Sequence, residues 1–144
     1  MSQATYDDAN LLIKLYELRR EDKMRDARNW FVGNFKFKNV AEYMSACPPG
    51  SDANAFARQT TSYWEMVASF VNSGVLNQEL LFTNTRELLL CWLRVKPVIK
   101  ELRAAYEDPN YLANLEKCGE AFIEWLKKTS GEKAFTTWAG RVGA

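Results

Sequence analysis

Any chemistry in this chain has to work without histidine, which is absent from all 144 residues. That removes Ser-His-Asp and Cys-His catalysis, histidine-bearing zinc sites, and the Glu-x-x-His pairs with which helical bundles hold two irons. Carboxylates, cysteines and cation-aromatic groupings remain. Glu17 with Glu21, and Glu116 with Glu120 and Glu124, are spaced four apart and share a helix face, the spacing a carboxylate/metal-dependent enzyme would use. Each row falls on the charged side of its helix, so solvated surface is the better reading. Cys47, Cys91 and Cys118 form no C-x-x-C pair, and three cysteines cannot close a complete disulfide framework. Cys91 and Cys118 sit inside apolar stripes, where a free cysteine behaves as a small buried hydrophobe. None of the seven glycines builds a G-x-G-x-x-G or G-x-x-x-x-G-K-[ST] phosphate loop. No catalytic set, cofactor motif or metal-ligand set follows from these residues.

Two stretches mix cations with aromatics or apolar residues. "NFKFKN" carries Phe35, Lys36, Phe37 and Lys38, and "RVKPVIKELR" carries Arg94, Lys96, Lys100 and Arg103. Such groupings can hold single-stranded nucleic acid. Here nineteen Lys and Arg against eighteen Asp and Glu leave a formal charge of +1, and no recognition-helix, zinc-finger or RNP-like motif accompanies them, so nucleic acid is not the expected partner. Phe35 and Phe37 are instead grouped with Phe135 and Trp138, three apart in the C-terminal stretch, as a candidate surface for a protein partner or a second copy of the chain. A second candidate site comes from Pro97, which interrupts an apolar helix beside Cys91 and Trp92. A kink there can leave room for a small apolar ligand, in a pocket formed by Trp64, Glu65, Cys91, Trp92 and Pro97. Against that stands the plainer reading of a filled aromatic core, since the tryptophans occur about once per helical segment.

The elements that position these residues are helical. Apolar residues recur at three- and four-residue steps from Asp8 to about Phe31, which predicts one long first helix across the charged "RREDKMRDAR". Asn39 can cap a short helix through Met44, and Pro48, Pro49 and Gly50 stop it. Ser51 or Asp52 caps a second long helix that ends near Gly74, and Asn77 caps a brief one. The run from about Arg86 to Tyr106 is apolar around its whole circumference at Leu88 to Leu93, so other helices must surround it, with a kink or break near Leu93 to Lys96 imposed by Pro97. "EDPN" at 107–110 is turn chemistry, with Pro109 placed to open a helix to about Lys128. The expected fold is all-α: a bundle of four main helices with one or two short accessory helices, in one domain over 1–144, with 130–144 as a loosely attached C-terminal segment.

Composition agrees with a folded chain, at 47% hydrophobic and 26% charged residues. The N-terminal stretch has no basic region ahead of its apolar run, which Lys14 and Glu17 interrupt, so neither a signal peptide nor an integral membrane segment is expected. With free cysteines, this places the chain in the cytoplasm.

"YWEMVASFVNSGVLNQELLF" followed by "CWLRVKPVIKELR" resembles a bacterial domain-of-unknown-function family of small all-helical proteins, some of whose members carry an N-terminal membrane anchor. The matching positions are Trp64, Glu65, Gly74, Leu76, Trp92, Pro97, Ile99 and Arg103, within Ser62 to Arg103. The resemblance implies a helical domain without assigned chemistry, and its positions read first as a structural signature. Glu65 stands apart, as a carboxylate near a core face that needs a partner such as Arg103. The functional expectation is a non-enzymatic structural or protein-interaction module, with a binding domain for a small apolar ligand as the alternative.

Overall fold

A computed structural model describes residues 3–143. Among them are nine α-helices and no strand: α1 (Tyr6–Arg19), α2 (Asp22–Asn34), α3 (Val40–Ala46), α4 (Asp52–Asn72), α5 (Gln78–Asn84), α6 (Glu87–Val95), α7 (Ile99–Ala105), α8 (Ala113–Ser130) and α9 (Glu132–Arg141). A single 3-10 turn, Lys96–Val98, joins α6 to α7. The fold is all-α. Its core is a bundle in which α4 packs on α2, α6 and α8, with α9 along α8 and α1 lying over α2 and α5. Among the described residues, no helix is long and apolar enough to cross a membrane.

Most helix starts follow local chemistry. Thr5 and Asp8 form a reciprocal capping box at α1, and the side chains of Asn39, Ser51 and Asn77 accept from the backbone N–H groups of Glu42, Asn54 and Leu80. Gly74, at φ +84, takes the left-handed conformation that turns the chain after α4, and Leu76 N–H then reaches the Phe70 carbonyl at 3.0 Å. Pro97 sits in the 3-10 turn where the long apolar run breaks in two.

Two helices begin elsewhere than the periodicity predicts. The expected single first helix is two, because Glu21 adopts an extended ψ of 144° and its carboxylate caps the Met24 N–H at 3.2 Å. Five successive charged residues, 19–23, offer no apolar side chain to hold a continuous helix on the core. Arg28 folds back on the Arg19 carbonyl at 3.3 Å to close the hairpin. Likewise α8 starts at Ala113 rather than at Pro109, behind Leu112 in the left-handed region at φ +57. Leu112 supplies no side-chain cap. The cap comes from Glu65 on α4, whose Oε1 accepts from Leu115 N–H at 2.7 Å while Oε2 accepts from Asn114 Nδ2 at 3.0 Å. This carboxylate stabilises the positive end of α8 and fixes its height against α4.

α6 is the enclosed element its composition predicts: Leu88, Leu89, Leu90, Cys91, Trp92 and Val95 are all buried. Within it lies Arg94, only 4% exposed and, among the described residues, without a carboxylate partner. Its Nη1 donates to the carbonyls of Phe31, Val32 and Phe35 at 3.3, 2.9 and 3.1 Å, and its Nη2 to the Val142 carbonyl at 2.6 Å. Burial depresses the guanidinium pKa, and the partial negative charge at the C-terminal end of α2 takes the place of a counterion. Arg94 thereby ties the end of α9 to the end of α2.

Candidate functional site

The candidate pocket at the kinked helix is occupied by packed side chains. Trp92 lies against Gly119, where any Cβ would come within 2.7 Å of Trp92 Cβ, so glycine is what lets α8 approach α6. The Trp92 indole N–H donates to Glu120 Oε2 at 2.7 Å, and Lys96 Nζ reaches the same oxygen at 3.0 Å. Cys91 is buried, and burial pushes its thiol pKa well above the ordinary value, which makes it a core filler rather than a nucleophile. Pro97 is exposed on the 3-10 turn. Glu65 does not pair with Arg103, which donates to the Tyr111 carbonyl at 2.9 Å and pairs with Glu116 at 2.8 Å. Of the five residues, Trp64 borders the cleft between α1 and α5.

The candidate partner residues also separate. Phe35, 1% exposed, stacks on Phe31 at 4.6 Å and meets Phe37 edge-on at 4.9 Å, so the "FKF" stretch plugs the core instead of offering it to a partner. Phe37, Phe135 and Trp138 are half-buried against the core. The guanidinium carbon of Arg86 lies 5.8 Å from the Trp138 ring, and Lys127 Nζ lies 5.3 Å from that of Phe135. Two carboxylates of the second row are likewise engaged, Glu116 with Arg103 and Glu120 with Lys96. Among the described residues, no group of three His, Cys, Asp or Glu is placed to hold a metal ion.

The cleft that does open lies between α1 and α5 and is floored by α4, with a volume of about 230 Å³. Leu12, Leu15 and Tyr16 form one wall, Leu81 the other, and Tyr63, Trp64 and Val67 the floor. Spacing explains the walls: Leu12, Leu15 and Arg19 follow one face of α1, and Ile13 with Tyr16 follow the next face round, so the helix is apolar toward both cleft and solvent. Tyr63 is fixed by its hydroxyl, which donates to the Leu15 carbonyl, and by Trp64 edge-on at 4.9 Å. Trp64 Nε1 is buried and finds no hydrogen-bond partner among the described residues, an expense of about 1–3 kcal/mol for a donor.

One end of the cleft is cationic. Arg28 grips Glu87 with Nε to Oε1 at 2.6 Å and Nη2 to Oε2 at 2.7 Å, and Arg19 Nη1 approaches the same carboxylate at 3.4 Å. Two guanidinium groups share one carboxylate, which leaves a net positive charge beside the Tyr16 ring, with Arg19 Cζ 4.8 Å from its centroid. The hydrogen bonds that Arg28 donates to Glu87 hold its pKa up, and burial raises the Tyr63 hydroxyl to about 12. The lining therefore contains neither a thiol nor a carboxylate, and its buried phenol stays protonated near neutral pH. The cleft thus offers an apolar lining with a cationic end.

Sequence reasoning misses Arg19, Arg28 and Glu87 as a cluster, because their partners are 59 and 68 residues apart. It also treats Arg94 as part of a surface patch. A signal for its burial was available: an arginine inside a run that is apolar on every side has no exposed face to occupy.

No curated protein and no solved structure matches the chain. A family model does: it spans residues 4–125, taking in α1 to α7 and most of α8, with α9 beyond its end. The match includes the cleft, its cationic end and the Glu65 cap, and it makes the chain a member of the family described as Domain of unknown function (DUF4760).

Proposed function

We propose that this chain is a non-enzymatic protein-interaction module whose recognition surface is the outer side of α1 together with the cleft beneath it. One observation carries the reading: apolar side chains left in solvent border an apolar cleft whose lining holds no reactive group. Tyr6, Ile13 and Tyr16 are 81, 57 and 50% exposed, and Ile13 and Tyr16 are also cleft walls. Contiguous exposed apolar surface of this kind marks interaction sites. Size points the same way. At about 230 Å³ the cleft is smaller than the roughly 300–1,000 Å³ of pockets that enclose small molecules, and suits one or two inserted side chains.

A small apolar ligand is the second reading, favoured by the unpartnered Trp64 indole N–H in the cleft floor. Three buried free cysteines fit a reducing compartment, and we place the module in the cytoplasm on that basis.

A photo-crosslinking residue at Ile13, compared with one at exposed Lys117 on α8, tests the interaction module in producing cells. Discrete protein adducts at position 13 and none at 117 are expected. Equal, diffuse labelling at both would overturn the reading. An extra mass in native mass spectrometry that disappears on denaturation, without adducts, would shift the assignment to the small ligand.

A further inference from the structure

The cleft under α1 is polar at one end and apolar along the rest. Asp8 Oδ1 accepts from Asn77 N–H at 2.9 Å near the starts of α1 and α5, and Arg19 meets Glu87 just past the end of α5, so the two helices run side by side in the same sense. Thr85 Oγ1 accepts from the Glu87 N–H at 3.3 Å, which places Thr85, with Asn84 before it, at the Arg19 end. Leu12 stands about 10 Å before Arg19 along the axis of α1, and with Trp64, Val67 and Leu81 it supplies apolar lining.

Among the described residues that line the cleft, Arg19 alone carries a charge, and that charge is poorly answered. Arg28 already takes both oxygens of Glu87, at 2.6 and 2.7 Å, which leaves Arg19 a single contact from Nη1 at 3.4 Å. Among the described residues, its Nε is buried without a partner and its Nη2 donates no hydrogen bond. Trp64 Nε1 is a second buried donor of the lining left unpaired. The carbonyl ends of α1 and α5 lie on the same side, but protein donors meet them: Arg28 Nη1 reaches the Arg19 carbonyl at 3.3 Å, and Thr85 N–H the Leu81 carbonyl at 3.1 Å. What this end lacks is an acceptor, and an anionic acceptor answers the charge as well.

From these observations we infer that the cleft takes a small aliphatic monocarboxylate, its carboxylate on the Arg19 guanidinium and its hydrocarbon chain along Leu12, Trp64, Val67 and Leu81. Two guanidinium groups less one carboxylate leave a single positive charge, which one further carboxylate neutralises. The planar guanidinium matches a carboxylate in shape as well as in charge. A volume of about 230 Å³ limits the chain to the size of one or two side chains, which suits hexanoate better than a long fatty acid. The inference goes beyond the interaction reading, since it concerns what fills the cleft and leaves the outer side of α1 to a partner.

Titration of the full chain with hexanoate and, separately, with the uncharged hexanamide, followed by amide and indole NMR signals, tests it. The expected result is saturable shifts at cleft residues, the Trp64 indole N–H among them, with hexanoate binding about tenfold tighter than hexanamide, the worth of one charge-assisted pair. Arg19→Gln should abolish that preference while hexanamide still binds, and Lys117→Gln, which removes an exposed cation on α8, should leave it intact. Acid and amide are compared on the wild-type chain, so the outcome does not hinge on a variant that folds. Equal affinity for the two would overturn the inference, as would hexanoate shifts that map away from the cleft, or none through the millimolar range. If hexanoate fails while photo-adducts at Ile13 persist, the interaction module stands and the cleft ligand falls; hexanoate binding without adducts would leave the ligand site standing alone.

Discussion

Helices α1 and α6 are built from similar material and treated oppositely by the fold. Both are apolar around most of their circumference, α1 through Leu11, Leu12, Ile13, Leu15, Tyr16 and Leu18, α6 through Leu88 to Leu93. Other helices enclose α6 on every side, so that even its arginine is interior and must borrow carbonyls from two chain segments. α1 is covered on one side only, by α2 and α5, and leaves Ile13 and Tyr16 in water. All-round apolarity thus calls for all-round cover. Where the chain itself provides it, the result is a core; where it does not, the exposed side is the place to look for a partner.

The comparison breaks most sharply under matched truncations. Leu89→Ala, in the enclosed helix, should cost about 3 kcal/mol in urea unfolding, whereas Ile13→Ala should stay within about 0.5 kcal/mol. Comparable losses at the two positions would mean that α1 is enclosed after all.

Arg94→Met asks whether the enclosed helix depends on its charge. Removing the guanidinium leaves carbonyls of Phe31, Val32, Phe35 and Val142 without their donor, and a loss of about 2–3 kcal/mol is expected. Hydrogen exchange should quicken in α9 more than in α4, since the arginine links α9 to α2. Uniform quickening would show that the clamp serves the whole core instead.

Glu65→Gln retains one carbonyl acceptor for two donors and should cost about 1 kcal/mol, with faster exchange in the first turn of α8. No change in that turn would remove the cap from the account.

The smallest effect is a pH dependence. Burial pushes the Glu120 carboxyl up, but hydrogen bonds from Trp92 and Lys96, together with the Lys96 charge, outweigh it and hold the folded value below the ordinary 4.5. A depressed carboxylate stabilises the fold above its unfolded value and loses that contribution as pH falls through the folded value. Urea titrations at descending pH should therefore show wild type and Glu120→Gln converging below pH 4.5. The gap at neutral pH should be under about 1 kcal/mol, because the carboxylate is half exposed.

The parts of this fold that were legible beforehand are those settled within a few residues. Asn39, Ser51 and Asn77 cap the backbone three positions on, Gly74 ends α4, and Pro97 splits the long apolar run wherever the surrounding chain goes. The enclosed status of α6 was legible as well, since a helix without a polar side cannot face water. Glu21 was readable in principle as a cap, yet periodicity carried the prediction past it, because three-residue steps resume on the far side with only a small change of phase.

What the sequence by itself determined is an all-helical chain with one fully buried element and no histidine-based or phosphate-loop chemistry. Tertiary structure alone decided which carboxylate caps α8, which carbonyls receive Arg94, that Phe35 turns inward, and that the open cleft lies under α1 rather than beside Pro97. The physical reason is reach. Caps and breaks depend on hydrogen bonds between neighbours, whereas the contacts of Glu65 and Arg94 join residues 48 to 63 positions apart and exist only once the helices have stacked. A cleft is more remote still, because it is the space left over when every helix has taken its place.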